Sequence, residues 1–181
     1  MDADGGNEER LTDSGGDFPA WSPDGEKVAF MSDRDGDGDY DIFVMDADGE
    51  NEERLTDSSG VEPVWSPDGE KIAFQSDRDG TWEIYVMDAD GDNKERLTDA
   101  GGLLPWWPPD GVWSPDGERI VFMAYRDGDH DIYVVDVDGD NEERLTEEGG
   151  WYPVWSPDGE KIAFMSGRGG GGFDIYVIQI R

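Results

Sequence analysis

Trp-Ser-Pro-Asp-Gly occurs four times in 181 residues, at 21–25, 65–69, 113–117 and 155–159. The spacings are 44, 48 and 42 residues, and Arg-Leu-Thr recurs with the same rhythm at 10–12, 54–56, 96–98 and 144–146. A repeat of this kind limits the fold sharply. Each unit is too small to bury its own apolar face, so successive units must stack and share a core. A period of about 40–45 residues suits a propeller blade of four short strands.

The second copy shows how one unit is built. Residues 61–65 predict a short strand, and Ser66-Pro67-Asp68-Gly69 a turn, with Pro presetting φ and Gly taking the left-handed position. Residues 71–76 predict the second strand, with Ile72 and Phe74 on one face. Asp77-Arg78-Asp79-Gly80 turns the chain into a third strand at 82–87. That strand is apolar on both faces, Ile84 and Val86 on one and Tyr85 and Met87 on the other, which suits a sheet packed between two others. After the turn Asp88-Ala89-Asp90-Gly91, a short charged outer strand at 94–97 closes the unit and protects its edge. No segment shows a 3.6-residue apolar period, so no helix is expected.

The expected fold is all-β: a β-propeller of four four-stranded antiparallel blades, at about 17–56, 60–98, 102–146 and 150–181. Residues 1–5 match the third turn of a unit and 7–12 an outer strand, while the last copy stops at its third strand. The N-terminal strand is therefore expected to complete the last blade and close the ring. Two arrangements satisfy this. One is a closed four-bladed monomer, favoured because closure within one chain carries no association cost. The other is an eight-bladed homodimer in which each N-terminal strand completes the partner's blade.

The chain has 46 Asp and Glu against 14 Lys and Arg, a formal net charge of -32. High net charge with few aliphatic residues is a signature of disorder. Eight Trp, 12% aromatics and the repeat itself argue for a folded domain. Cysteine is absent, which excludes disulfides, thiolate metal sites and a cysteine nucleophile. The charge repels phosphate backbones, so nucleic acid is not expected as a partner. No run is long and apolar enough to span a membrane, and no basic-then-apolar leader is visible. The chain reads as soluble, cytoplasmic or recombinant, with an unknown protein, peptide or small-molecule ligand. Four copies this regular are what recent amplification of one unit, or design, produces.

The motifs Trp-Ser-Pro-Asp-Gly-x-x-Ile-Ala-Phe, Ser-Asp-Arg-Asp-Gly, Ile-Tyr-Val-Met-Asp-Ala-Asp-Gly and Arg-Leu-Thr together resemble the TolB-type, WD40-like β-propeller repeat. The resemblance covers nearly the whole chain. It implies a family of protein-binding propellers and of non-catalytic propellers of peptidases, with rings of six or more blades. It also implies that ligands bind on the face carrying the turn before the first strand and the turn between strands two and three, here called the top.

Two top-face features stand out. Residues 33–41 read Asp-x-Asp-x-Asp-Gly-x-x-Asp and resemble the calcium loops of integrin-type propellers. The matching ligands are Asp33, Asp35, Asp37 and Asp41, and Ca2+ is the only cofactor suggested. The bland reading is a solvated acidic hairpin. The Asp-x-Asp-Gly turns of every copy read as structural, with Asp capping turn N–H groups. In the third unit, Trp107-Pro108-Pro109-Asp110-Gly111 imitates Trp113-Ser114-Pro115-Asp116-Gly117 six residues later. Trp113 keeps the intact motif, so the extra segment is expected to lengthen the top loop from 101 to 112. It would display Leu103, Leu104, Trp106 and Trp107 beside Trp151 and Tyr152, as a contact patch or as a channel plug. The recurrent Trp21, Trp65, Trp113 and Trp155 are expected in the core.

The sole histidine, His130, lies between Asp129 and Asp131 on the top turn of the third unit. No Ser sits in a nucleophile-elbow context. A hydrolase or lyase using His130 and top-face carboxylates is the remote alternative. The expected function is a non-enzymatic binding or display scaffold, with calcium binding or half of an eight-bladed ring as alternatives.

Overall fold

The computed structural model describes residues 8–34, 36, 38–105 and 111–180. Among them every regular element is a strand. Blade 1 is β1 (Asp17–Trp21), β2 (Lys27–Ser32), β3 (Asp41–Asp46) and β4 (Glu53–Arg54), paired in that order. Blade 2 repeats it with β5 (Val61–Trp65), β6 (Lys71–Ser76), β7 (Glu83–Asp88) and β8 (Glu95–Arg96). Blade 3 has β9 (Arg119–Arg126), β10 (Asp129–Asp136) and β11 (Glu143–Arg144), and blade 4 has β12 (Trp151–Trp155), β13 (Lys161–Ser166) and β14 (Asp174–Gln179). All pairings are antiparallel.

The repeated motifs turn out to be repeated hydrogen-bond devices. In the first Ser-Pro-Asp-Gly turn, Ser22 Oγ donates to Asp24 Oδ1 (2.6 Å) and accepts from Lys27 N (2.9 Å). Ser66, Ser114 and Ser156 do the same in their blades. These hydroxyl bonds hold Asp24, Asp68, Asp116 and Asp158 below the usual carboxylate range. In the Asp-x-Asp-Gly turns, Asn51, Asn93 and Asn141 take left-handed backbone and donate their side-chain amides to Asp46, Asp88 and Asp136. In each blade an Arg near the hairpin between the second and third strands lies over the ring of the third strand. Arg34, Arg78, Arg126 and Arg168 sit 4.4, 4.8, 4.4 and 3.8 Å from the rings of Phe43, Tyr85, Tyr133 and Tyr176.

Arg-Leu-Thr has a third role. The acid at or near the start of the third strand, Asp41, Glu83 or Asp131, is buried and accepts from the Thr hydroxyl (2.9, 2.6 and 2.8 Å). The same acid pairs with the guanidinium of Arg54, Arg96 or Arg144. The Thr hydroxyl accepts in turn from Ile42, Ile84 or Ile132 N. Gly60 and Gly102 permit this packing, since a Cβ there would fall 2.7 and 2.8 Å from the Thr56 and Thr98 hydroxyls.

Blades stack through apolar faces. The trailing face of blade 1 (Ala29, Met31, Ile42, Val44) packs on the leading face of blade 2 (Trp65, Ile72, Phe74, Tyr85, Met87). The trailing face of blade 2 (Ile84, Val86) packs likewise on Trp113, Ile120 and Phe122 of blade 3. Trp65 Nε1 donates to Ala20 O and Trp113 Nε1 to Val64 O, both at 3.1 Å. Trp113 is therefore the structural copy of the duplicated segment. Trp65, Trp113 and Trp155 are buried as expected, but Trp21 is 59% exposed, with no other blade packed over it among the described residues.

The expected ring closure is not formed among the described residues. Residues 8–12 carry no strand, β14 pairs with β13 alone, and no strand of blade 4 touches one of blade 1. The four blades form an open arc.

Candidate functional site

The innermost strands hold the key local feature. Each pairing shifts register, between Asp17 and Ala20, Val61 and Val64, and Trp151 and Val154. The residue after each shift's first partner, Phe18, Glu62 or Tyr152, has φ of 50°, 55° or 52°. Left-handed backbone at a bulky residue is uncommon and marks sites worth attention. In blade 3 the six-residue insertion enters at this same bulge. Leu103 pairs with Met123 as Val61 pairs with Gln75, and Trp113 pairs with Ile120 as Trp65 with Ile72. The expected longer loop ahead of the strand is thus replaced by an interruption inside it.

Around these bulges, blades 2, 3 and 4 enclose a top-face cavity of about 310 Å³. Blade 2 supplies Val61, Glu62, Gln75 and Trp82; blade 3 supplies Leu103, Leu104, Met123 and His130; blade 4 supplies Trp151 and Tyr152. The lining is mainly apolar and aromatic, with few polar groups. His130 makes tilted ring contacts with Trp151 (ring centroids 4.0 Å, 32°) and with Tyr125 (4.9 Å, 56°). Glu62 is half-buried and accepts from the Gln75 side-chain amide. Burial raises its pKa to about 7.

The structure brings four of the six expected binding residues, Leu103, Leu104, Trp151 and Tyr152, to one cavity. Leu104, however, is not displayed: at 2% exposure it belongs to the core between blades 2 and 3. Trp106 and Trp107 lie outside the described residues. The sequence reading missed Glu62, Gln75, Trp82 and Met123. A signal for Glu62 was present. The slot before Pro63 holds an acid where the other blades have Phe18, Leu104 and Tyr152.

The calcium reading fares differently. Asp35 and Asp37 lie outside the described residues. Asp41 is buried against Arg54 and Thr56, in the same role as Glu83 and Asp131, while Asp33 is exposed on the hairpin. The geometry thus gives Asp41 a protein partner set, Arg54 and Thr56. Among the described residues no three His, Asp or Glu side chains group as a metal set. His130 meets aromatic rings, and its backbone N–H donates to the Asp129 carboxylate.

The family model of the TolB beta propeller domain matches residues 17–112 and 106–181. The chain belongs to the TolB beta-propeller family. TolB from Acinetobacter baumannii superposes with a TM-score of 0.75 at 27% identity, over 98% of this chain and 45% of that one. The β-propeller domain of the Trilobed protease from Pyrococcus furiosus gives 0.68 at 22% identity, over 91% and 55%. Oligogalacturonate lyase from Vibrio parahaemolyticus gives 0.66 at 18% identity, over 90% and 48%. The last two likenesses concern the fold alone. The chain spans about half the length of each of these proteins. No curated protein matches it. The TolB-type fold agrees with a binding scaffold, and no described helix is long and apolar enough to cross a membrane.

Proposed function

We propose that this TolB-type propeller is a non-enzymatic binding module whose top-face cavity takes a cationic side chain, Lys or Arg, of a protein partner. The observation that carries this reading is the company Glu62 keeps. A half-buried carboxylate with one amide donor shares a cavity with Trp82, Trp151, Tyr152 and His130. Aromatic faces attract cations, by about 0.5–2 kcal/mol each depending on desolvation. A carboxylate whose pKa burial has raised gains most from an arriving positive charge. The net charge of -32 would steer a basic partner toward the chain in a salt-sensitive way.

Titration calorimetry with a Lys-containing peptide tests this. Ionising Glu62 through its pKa of about 7 should tighten binding by close to tenfold from pH 6 to pH 8. Glu62→Gln should weaken binding and flatten that pH dependence. Equal binding of a peptide with norleucine in place of Lys, or an unchanged pH profile in Glu62→Gln, would sink the reading.

A further inference from the structure

The top-face cavity is built from slots of the repeat, and its polar chemistry lies where blade 2 departs from that repeat. One slot holds a ring in every copy: Tyr40, Trp82, His130 and Phe173. A second holds Met31, Met123 and Met165, but Gln75 in blade 2. A third holds Phe18, Leu104 and Tyr152, but Glu62 in blade 2. The two polar departures meet in the cavity. The Gln75 side chain, buried at 4% exposure, donates its amide to Glu62 Oε2. A carboxylate in an apolar slot costs free energy. The backbone does not require it, since blades 1 and 4 form the same left-handed bulge with Phe18 and Tyr152.

The remaining lining decides which cation suits this acid. Glu62 is the one carboxylate among the described lining residues, and blades 3 and 4 add rings and apolar side chains around it. A primary ammonium carries three N–H donors and is strongly hydrated. Giving one N–H to Glu62 would leave the others against rings and aliphatic carbon, where unpaired donors are costly. A guanidinium, with five donors, fits worse. Each methyl group that replaces an N–H removes one such donor and adds apolar surface for the aromatic faces, while the positive charge stays. A dimethylated ammonium keeps a single N–H, which matches Glu62 Oε1, the oxygen that Gln75 does not take.

We propose that the cavity selects a dimethylated lysine side chain of its partner, with the N–H on Glu62 Oε1 and the methyl groups against the rings of Trp82, Trp151 and Tyr152. This selection rests on the cavity being a cation site, as proposed above, and adds the modification state that it prefers.

Titration calorimetry at pH 8, above the Glu62 pKa of about 7, tests it with peptides that differ at one position: Lys, dimethyl-Lys, trimethyl-Lys or norleucine. Dimethyl-Lys should bind about fivefold or more tighter than Lys. It should bind about threefold or more tighter than trimethyl-Lys, which has no N–H to give. Glu62→Leu, with the β circular-dichroism spectrum intact, should erase the preference for dimethyl- over trimethyl-Lys. Trp82→Leu, at a ring 42% exposed, should narrow the gap between dimethyl-Lys and Lys. Lys binding as tightly as dimethyl-Lys, with both tighter than norleucine, would overturn the selection and leave the cation site standing. Trimethyl-Lys binding as tightly as dimethyl-Lys in the wild type would overturn the role given to Glu62 Oε1. Norleucine binding as well as the three cations, or no binding by any peptide, would overturn both the selection and the cation site. Dimethylammonium chloride displacing the dimethyl-Lys peptide at the peptide's own concentration would overturn a partner's side chain as the source.

Discussion

Two stretches of nearly the same sequence have opposite fates. Ile84-Tyr85-Val86 in β7 and Ile175-Tyr176-Val177 in β14 pair in the same way with their second strands. Ile84 and Val86 are 0% and 2% exposed, while Ile175 and Val177 are among the most exposed apolar residues described. The strand is a local product of turns, alternation and cross-strand pairing. Burial is a property of position in the stack. In a repeat protein, each unit's stability comes from its neighbours as much as from itself.

This contrast can be tested by paired substitutions. The largest difference should come at the acids at or near the start of the third strands. Asp131→Asn removes a buried partner of Arg144 and Thr146 and should cost about 3 kcal/mol. Asp174→Asn, exposed in the single chain, should stay within about 0.5 kcal/mol. Urea unfolding at submicromolar concentration would measure both, and equal losses would erase the distinction between interior and end. Next come the trailing faces. Ile84→Ala should cost about 2–4 kcal/mol and Ile175→Ala under about 0.5 kcal/mol in the same experiment.

A smaller effect separates the tryptophans. Trp65→Phe loses the indole bond to Ala20 O, worth about 1 kcal/mol beyond the ring's volume. Trp155→Phe should cost less, because its Nε1 is buried without a hydrogen-bond partner among the described residues. At that point the end of the insertion approaches, with Gly111 O accepting the Trp155 backbone N–H (2.8 Å). Thermal melts of the two variants side by side would check the order.

The smallest effect is pH dependence, where two sets of carboxylates act with opposite sign. Asp24, Asp68, Asp116 and Asp158 have lowered pKa values, so their support is present above about pH 4 and is lost as pH falls below it. Glu62 binds its proton more tightly folded than unfolded, so its contribution falls away as pH rises from about 4.5 through 7. Glu62→Gln should therefore flatten part of the decline in melting temperature between about pH 5 and 7. A parallel decline in the variant would show that Glu62 does not contribute.

Much of the fold was legible in the sequence because its determinants are local. Pro67 and Gly69 set a turn, Ile72 and Phe74 mark a face, and the spacing of Trp-Ser-Pro-Asp-Gly sets the blade length. The turn role of the serines followed from the same chemistry. The site was only partly legible. Leu103, Trp151 and Tyr152 drew notice as apolar residues near the top. Glu62 and Gln75 did not, because an acid in so acidic a chain carries no signal until its burial is known. The setting of Asp41 was hidden for a related reason. Its spacing in the hairpin suits a metal loop, but the strand turns it to Arg54 and Thr56, 13 and 15 residues further along.

By itself the sequence determined the all-β repeat, the turn types, the strand faces and the charge, since each depends on residues within a few positions of one another. Only the tertiary structure decided that the arc stays open, that Trp113 is the structural copy, and that Leu104 is buried. It also decided that three blades share a cavity around Glu62. These outcomes depend on which blade lies next to which, and identical repeats cannot encode that locally: the same side chains are core in one blade and surface in another.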